Sequence, residues 1–316
     1  MPGERLVVVA DPIDPTAVER LRSGPCRVAD VSGDPAALAA ELPQAWGLVV
    51  RSRTKVTAAL LAKASKLELI ARAGVGVDNI DMAAAHAQGA RVVNAPGAAT
   101  TSVAELTIGL YLDLLRGLYP AIAATKSGRW ERGAHGRELS GKTVGFVGYG
   151  RIAREVARRL GVFGARSVAF DPFVPRSNDP TEMRPLNEVL AAADIVSLHA
   201  ASTPENHHLI DGAALGRMRH GAFLVNVARG ALVDEGALVA ALDSGRLAGA
   251  ALDVFEVEPP TRRELLAHAK VLATPHLGAS TVEAQARAGT EIVDEVLRAL
   301  KGEPLSALVA PVGGGR

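Results

Sequence analysis

The chain has 316 residues, of which 48% are hydrophobic and 22% charged, with a formal net charge of +1. That composition is globular, and the length suits one large or two ordinary domains. The balanced charge excludes a dense basic face for nucleic acid, and an aromatic content of 3% leaves little for base-stacking platforms. A single cysteine, Cys26, excludes an internal disulfide framework and a cysteine-based zinc cluster, and it fits a reducing cytosol. The first apolar run, 6–10, is halted by Asp11-Pro12 and is too short for a secretory signal. No uncharged stretch nears the roughly 20 residues that span a bilayer. A soluble, cytoplasmic protein is expected.

Short apolar runs then alternate with helical spacing. Strands are predicted at 6–10, 47–51, 67–73 and 91–95, with helices at 16–22, 35–42, 57–64 and 82–88 between them. Thr57 and Asp81 are N-cap types, and Gly89 is a helix stop. A long apolar helix over 102–118 separates this series from a second one. Its strands are predicted at 144–147, 167–170, 195–199, 223–228, 248–254 and 271–274. Repeated βα units imply parallel sheets with helices on both faces. The fold class is therefore α/β, with two doubly wound, Rossmann-like domains and an interdomain cleft at the carboxyl ends of the strands. The last helix, 281–300, has no strand series of its own to cover and is expected to cross back to the first domain. The expected division is 1–96 plus 280–316, and 97–279. The glycine-rich tail 313–316 is expected to fray.

The sharpest local motif is G-x-G-x-x-A at Gly148, Gly150 and Ala153, after a strand and before a helix over 151–160. Gly148 permits the tight turn. Gly150 lets backbone approach a pyrophosphate that the helix N-terminus stabilises, and Ala153 keeps the helix close to the sheet. Asp171 follows the next strand, where a carboxylate accepts from the adenosine ribose and repels a 2′-phosphate. NAD is expected over NADP.

Three further segments sit at predicted strand ends: 226–230 with Arg229, 253–260 with Glu256 and Glu258, and 274–280 with His276. An arginine fork binds a carboxylate and polarises a neighbouring carbonyl. A histidine moves a proton near neutral pH, and a carboxylate on its ring fixes it and stabilises the imidazolium. Spacing does not choose between Glu256 and Glu258. His207 and His208 are adjacent, are expected to point apart and lack a third ligand, so they read as surface loop and not as a metal site. No metal is expected.

Taken together, these blocks resemble the NAD-dependent D-isomer-specific 2-hydroxyacid dehydrogenases, with the D-3-phosphoglycerate dehydrogenase branch nearest. The likeness runs through Val49-Val50-Arg51-Ser52, 72–81 (RAGVGVDNID), Trp130-Glu131-Arg132, the fingerprint, 226–230, 232–238 (LVDEGAL), 250–259 and 275–280. It implies a catalytic trio of Arg229, Glu258 and His276, the glutamate being the one that directly precedes proline. It implies that Asp253 holds the nicotinamide carboxamide and that Val75, Arg151, Ile152, Ala200, Val227 and Gly278 contact the dinucleotide. The backbone at Ala73-Gly74 matches the loop that grips the substrate carboxylate. The resemblance further implies a discontinuous substrate domain and a homodimer through the 102–118 helix and the segment to Trp130.

Phosphoglycerate needs cations for its phosphate, and Arg51, Arg53, Lys55 and Arg132 are candidates; Arg51 stands where the branch binds substrate. Departures from the branch lie at 96–101, which lacks an asparagine, at 133–135, and at His199-Ala200-Ala201, which lacks a proline. The chain stops soon after the returning helix, so no appended regulatory domain is expected. The anionic substrate is expected to be 3-phosphoglycerate or 3-phosphohydroxypyruvate, with glyoxylate or hydroxypyruvate reduction as the alternative. A formate dehydrogenase-like enzyme pairs its histidine with glutamine, against Glu258. A non-catalytic NAD-sensing corepressor, similar to the C-terminal binding proteins, retains the trio and is separated only by a turnover assay.

Overall fold

The computed structural model describes residues 4–130, 132 and 135–310. Glu131, Gly133, Ala134 and the tail 313–316 lie outside the described residues. The chain divides into two compact units, one of residues up to Ala99 together with those from Ala279, the other Thr100–Gly278.

The first unit opens with β1 (Leu6–Val9), α1 (Pro15–Arg22), β2 (Arg27–Asp30), α2 (Pro35–Glu41) and β3 (Ala45–Val50). It continues with α3 (Ala58–Leu61), β4 (Leu69–Arg72), α4 (Met82–Ala87) and β5 (Arg91–Asn94). Among the described residues its sheet has five strands, ordered β2-β1-β3-β4-β5, all parallel. Central strands are apolar throughout because both faces are covered, and β1 and β3 are buried at every position. The edge strand β2 carries Arg27-Val28-Ala29-Asp30 with exposed ends, so it has no apolar run for a pattern search to find. Thr57 caps α3 through Leu60 N, Asp81 caps α4 through Ala84 N, and Gly89 adopts φ +80°.

The second unit begins with two helices, α5 (Thr100–Arg116) and α6 (Leu118–Lys126). The single helix expected over 102–118 therefore breaks at Gly117, whose φ of +59° bends the pair by 67°. Then come β6 (Thr143–Val147), α7 (Arg151–Leu160), β7 (Arg166–Phe170), β8 (Glu182–Met183), α8 (Leu186–Ala192), β9 (Ile195–Leu198) and α9 (Gly212–Arg217). The unit ends with β10 (Ala222–Asn226), α10 (Glu235–Asp243), β11 (Leu247–Leu252), α11 (Arg263–Leu266) and β12 (Val271–Ala273). The described strands form one parallel sheet, β12-β11-β10-β9-β6-β7-β8. Strand order reverses between β6 and β9, which opens a crevice at their carboxyl ends.

The last helix, α12 (Val282–Lys301), belongs to the first unit. Thr281 caps it through Ala284 N, a contribution of about 1 kcal/mol for this kind of cap. Its buried face, Ala288, Ile292, Val293, Val296 and Ala299, packs into the core with Val7, Val9, Ala17, Leu21 and Trp46. Gly289 lets α12 approach α1, since a Cβ there would stand 2.9 Å from the Ala17 Cβ. Among the described residues no single helix is long and apolar enough to cross a membrane.

Candidate active site

The turn after β6 is shaped by close approach. Gly148 has φ +87°, and a Cβ on it would lie 2.6 Å from Ala200 N at the end of β9. Its N–H donates to Phe170 O at 2.8 Å, which joins the turn to β7. Gly150 caps α7 with no side-chain hydrogen bond, and the space where its Cβ would be is open. First-turn N–H groups of a ten-residue helix thus have no side-chain acceptor at the cap. Ala153 is fully buried. Asp171 accepts from Tyr149 N at 2.8 Å and from Phe173 N at 2.9 Å, so its carboxylate is braced on the turn and keeps acceptor capacity for a ribose. The tight glycine turn and the helix start without a side-chain cap fit a dinucleotide's pyrophosphate.

The neighbouring strands β10, β11 and β12 each end in a candidate residue's segment. Asn226, 1% exposed at the end of β10, ties the next turn: its Nδ2 donates to Arg229 O at 2.9 Å and its Oδ1 accepts from Ala228 N at 3.0 Å. The Arg229 guanidinium donates to Ala228 O at 2.7 Å. Gly230 is required beside it, because a Cβ would fall 1.8 Å from the Phe255 carbonyl carbon. Asp253, equally buried, follows β11 and gathers the β12 turn: it accepts from Thr274 Oγ1 at 2.6 Å, Leu277 N at 2.7 Å and Gly278 N at 2.8 Å. That turn holds His276 at φ +55°, a backbone conformation rare for histidine. Its Nδ1 meets Glu258 Oε2 at 2.8 Å, and Glu258 Oε1 accepts from Phe255 N at 3.2 Å. The carboxylate accepts only, so Nδ1 carries the proton and Nε2 is left for chemistry.

Of the other expected residues, Val227 directly follows β10 and Ala200 lies two residues past β9. Arg51, Ala73, Gly74 and Val75 lie in the first unit. The turn after β3 is held by buried Asp11, which accepts from Arg51 N at 2.7 Å and Thr54 Oγ1 at 2.7 Å. The Arg51 guanidinium donates to Pro12 O at 3.3 Å and Gln285 Oε1 at 3.4 Å. Ala73 N donates to Val50 O and Gly74 N to Arg72 O, both at 2.8 Å, and Val75 O accepts from Asn94 Nδ2 at 2.6 Å.

Residues 108–278 match the family model described as "D-isomer specific 2-hydroxyacid dehydrogenase, NAD binding domain". The chain belongs to the D-isomer specific 2-hydroxyacid dehydrogenases. It is 42% identical over 310 residues to the D-3-phosphoglycerate dehydrogenase of Rattus norvegicus, covering 96% of this chain but 58% of that protein's length. It is 45% identical over 263 residues to the hydroxypyruvate reductase of Thermotoga maritima, covering 82% of this chain and 86% of the other. The TT0316 protein of Thermus thermophilus has the same fold, with a TM-score of 0.88, 36% identity, and coverage of 96% and 100%.

Within this 2-hydroxyacid dehydrogenase domain, two features leave little trace in the sequence. Asn226 shapes the arginine turn; an asparagine closing an apolar strand just before a glycine-containing turn is the available signal. His207 and His208, expected to point apart, stack with ring centroids 3.9 Å apart. His208 Nε2 then reaches Glu256 Oε1 at 2.7 Å. The expectation fails because His208 takes φ +52°, which turns its side chain back toward its neighbour.

Proposed function

We propose that the protein is an NAD-dependent oxidoreductase of D-2-hydroxyacids and 2-oxoacids, with 3-phosphoglycerate and 3-phosphohydroxypyruvate as its substrate pair. The observation that carries this reading is the His276 Nδ1–Glu258 Oε2 contact of 2.8 Å, in the same unit as a glycine cradle for a dinucleotide. NAD supplies the two-electron acceptor or donor. During oxidation His276 Nε2 takes the hydroxyl proton while the C2–H bond breaks, and Glu258 stabilises the imidazolium so formed. In reduction the same nitrogen returns the proton to the C2 oxygen. Arg229 orients the substrate carboxylate and the C2 oxygen. Asp253 and Gly278 set the turn that carries His276. Arg51, Ala73 and Gly74 are assigned to substrate, and Val75, Ala200 and Val227 to the dinucleotide.

The phosphoglycerate choice rests on the names of the 42–45% identical relatives. The hydroxypyruvate reductase of Thermotoga maritima supports the second reading, a reductase of unphosphorylated 2-oxoacids. Steady-state kinetics with NADH and NADPH against 3-phosphohydroxypyruvate, hydroxypyruvate, glyoxylate and pyruvate decide between them. A kcat/KM for 3-phosphohydroxypyruvate at least tenfold above the others, with NADH preferred, is expected. NADH binding without turnover of any oxoacid would replace the reading with that of a sensor. A homodimer through the NAD-binding unit belongs to the same proposal. It is supported by Tyr119, Ile122 and Trp130, large apolar residues that stand exposed on and after α6. Sedimentation velocity on Ile122→Glu is expected to show a monomer where the parent shows a dimer; an unchanged dimer would remove this surface from the interface.

A further inference from the structure

Glu256 and Glu258 stand two residues apart, and each holds a histidine. The Glu258–His276 pair is assigned above. The Glu256–His208 pair has no place in that chemistry, yet its connections all lead to it. Glu256 Oε1 accepts from His208 Nε2 at 2.7 Å and from Glu235 N at 3.3 Å. In return Glu256 N donates to Glu235 Oε1 at 2.9 Å, so the two glutamates clasp each other backbone to side chain. Glu235, 6% exposed, opens α10, and its second oxygen lies 3.4 Å from Arg262 Nε. His208 is anchored at its other end as well, since its N–H donates to Ala231 O at 2.8 Å. Ala231 is two residues past Arg229, and Glu256 is two residues before Glu258.

His208 thus links the two segments that carry candidate catalytic side chains, its backbone N–H to the one after Arg229 and its imidazole to the one before Glu258. Those segments already touch, because Gly230 lies against the Phe255 backbone. The His208 hydrogen bond, directed to a carboxylate and therefore short and strong, adds a side-chain tie to the turn at 255–258. The charged groups around the ring are Glu256, Glu235 and Arg262, with His207 stacked on its face. A left-handed φ at a non-glycine residue persists where the surroundings over-determine it, and here both ends of His208 are tied.

We propose that His208 is a positioning residue for proton transfer: through Glu256 and Glu235 it holds the 255–258 turn in the setting that puts Glu258 on His276 Nδ1. This rests on the catalytic reading above.

The test compares His208→Ala, which removes the donor, with His208→Gln, whose amide nitrogen reaches the same distance as Nε2. In His208→Ala, kcat is expected to fall at least tenfold while the NADH dissociation constant stays within twofold. His208→Gln is expected to recover most of that loss. Amide exchange across 255–258 in the NAD-free protein should quicken in the alanine variant and return toward the parent rate in the glutamine variant. If the alanine variant does not fold, His208→Asn, one carbon too short to reach, takes its place against His208→Gln. Parent-like kcat in the folded alanine or asparagine variant would overturn the proposal. So would a glutamine variant no better than them, or unchanged exchange at 255–258. The exchange measurement is independent of turnover. Should His276 prove dispensable, the catalytic reading falls while the clasp is still judged on its own.

Discussion

The two Glu–His pairs of the second unit are built from the same side chains and differ in which nitrogen is engaged. His276 gives Nδ1 to Glu258 and leaves Nε2 outward, whereas His208 gives Nε2, its far nitrogen, to Glu256. Their exposure differs in the same sense. The His276 and Glu258 side chains are 51% and 38% exposed, and those of His208 and Glu256 are 33% and 26%. A proton carrier needs one ring nitrogen held and the other open to substrate. A strut needs the ring's reach used up inside the protein. Position along the chain does not distinguish these roles; the nitrogen that faces the carboxylate does.

The sharpest way to break this contrast is to remove each ring in turn. His276→Asn suits the left-handed backbone there and is expected to lower kcat by about a thousandfold, within the span general acid–base catalysis supplies, with NADH affinity retained. A loss as large in His208→Asn would erase the distinction between carrier and strut. Exchanging the carboxylates comes next in size. Glu258→Gln removes the charge that stabilises the imidazolium and is expected to cost roughly 10- to 100-fold in kcat. Glu256→Gln keeps an oxygen for His208 Nε2 and Glu235 N, so its kcat should stay within about threefold of the parent. Equal losses in steady-state assays of the two variants would show that charge, and not the hydrogen bond, matters at Glu256.

The smallest effect concerns a third histidine that has no carboxylate at all. His199 retains some surface, but its ring lies 5.6 Å from the Phe146 ring and bonds Ser197 Oγ at 2.9 Å. Burial pushes this imidazole down to about 3. It is therefore neutral in the folded protein, while the unfolded chain takes up a proton below about 6.5. The unfolded state then binds more protons, so the contribution of His199 to stability is present above pH 6.5 and is lost as pH falls toward 3. The urea midpoint of the parent is expected to drop between pH 7 and pH 5 by more than that of His199→Gln. The slope difference for one proton is at most about 1.4 kcal/mol per pH unit. Parallel pH curves would mean that the folded ring takes up its proton over the same pH range as in the unfolded chain.

Much of the framework is legible in the residues because burial writes itself into pattern. Helix α7 is legible to the residue, since Gly150 opens it and its apolar positions Ala153, Val156 and Leu160 recur at helical spacing. The apolar strands β1, β3, β6 and β10 stand out for the same reason. The misses share a cause: β2 and β8 are edge strands with polar or short sequences, and their pairing partner is the only reason they are strands. The break at Gly117 is hidden because apolar residues continue on both sides of it.

By itself the sequence determined the α/β class, the glycine cradle after β6, and the family, because these depend on spacing and on residue types that only one conformation accepts. It left Glu256 and Glu258 equivalent as carboxylates near a histidine, and the resemblance supplied a preference without a contact. Only the tertiary structure decided which glutamate meets which ring. That choice depends on β10, β11 and β12 lying side by side, on the Asp253 bonds that draw the His276 turn to β11, and on a left-handed residue at each histidine. None of these is encoded within the few residues around the glutamates. Each arises where segments distant in the chain compete for the same donors and acceptors.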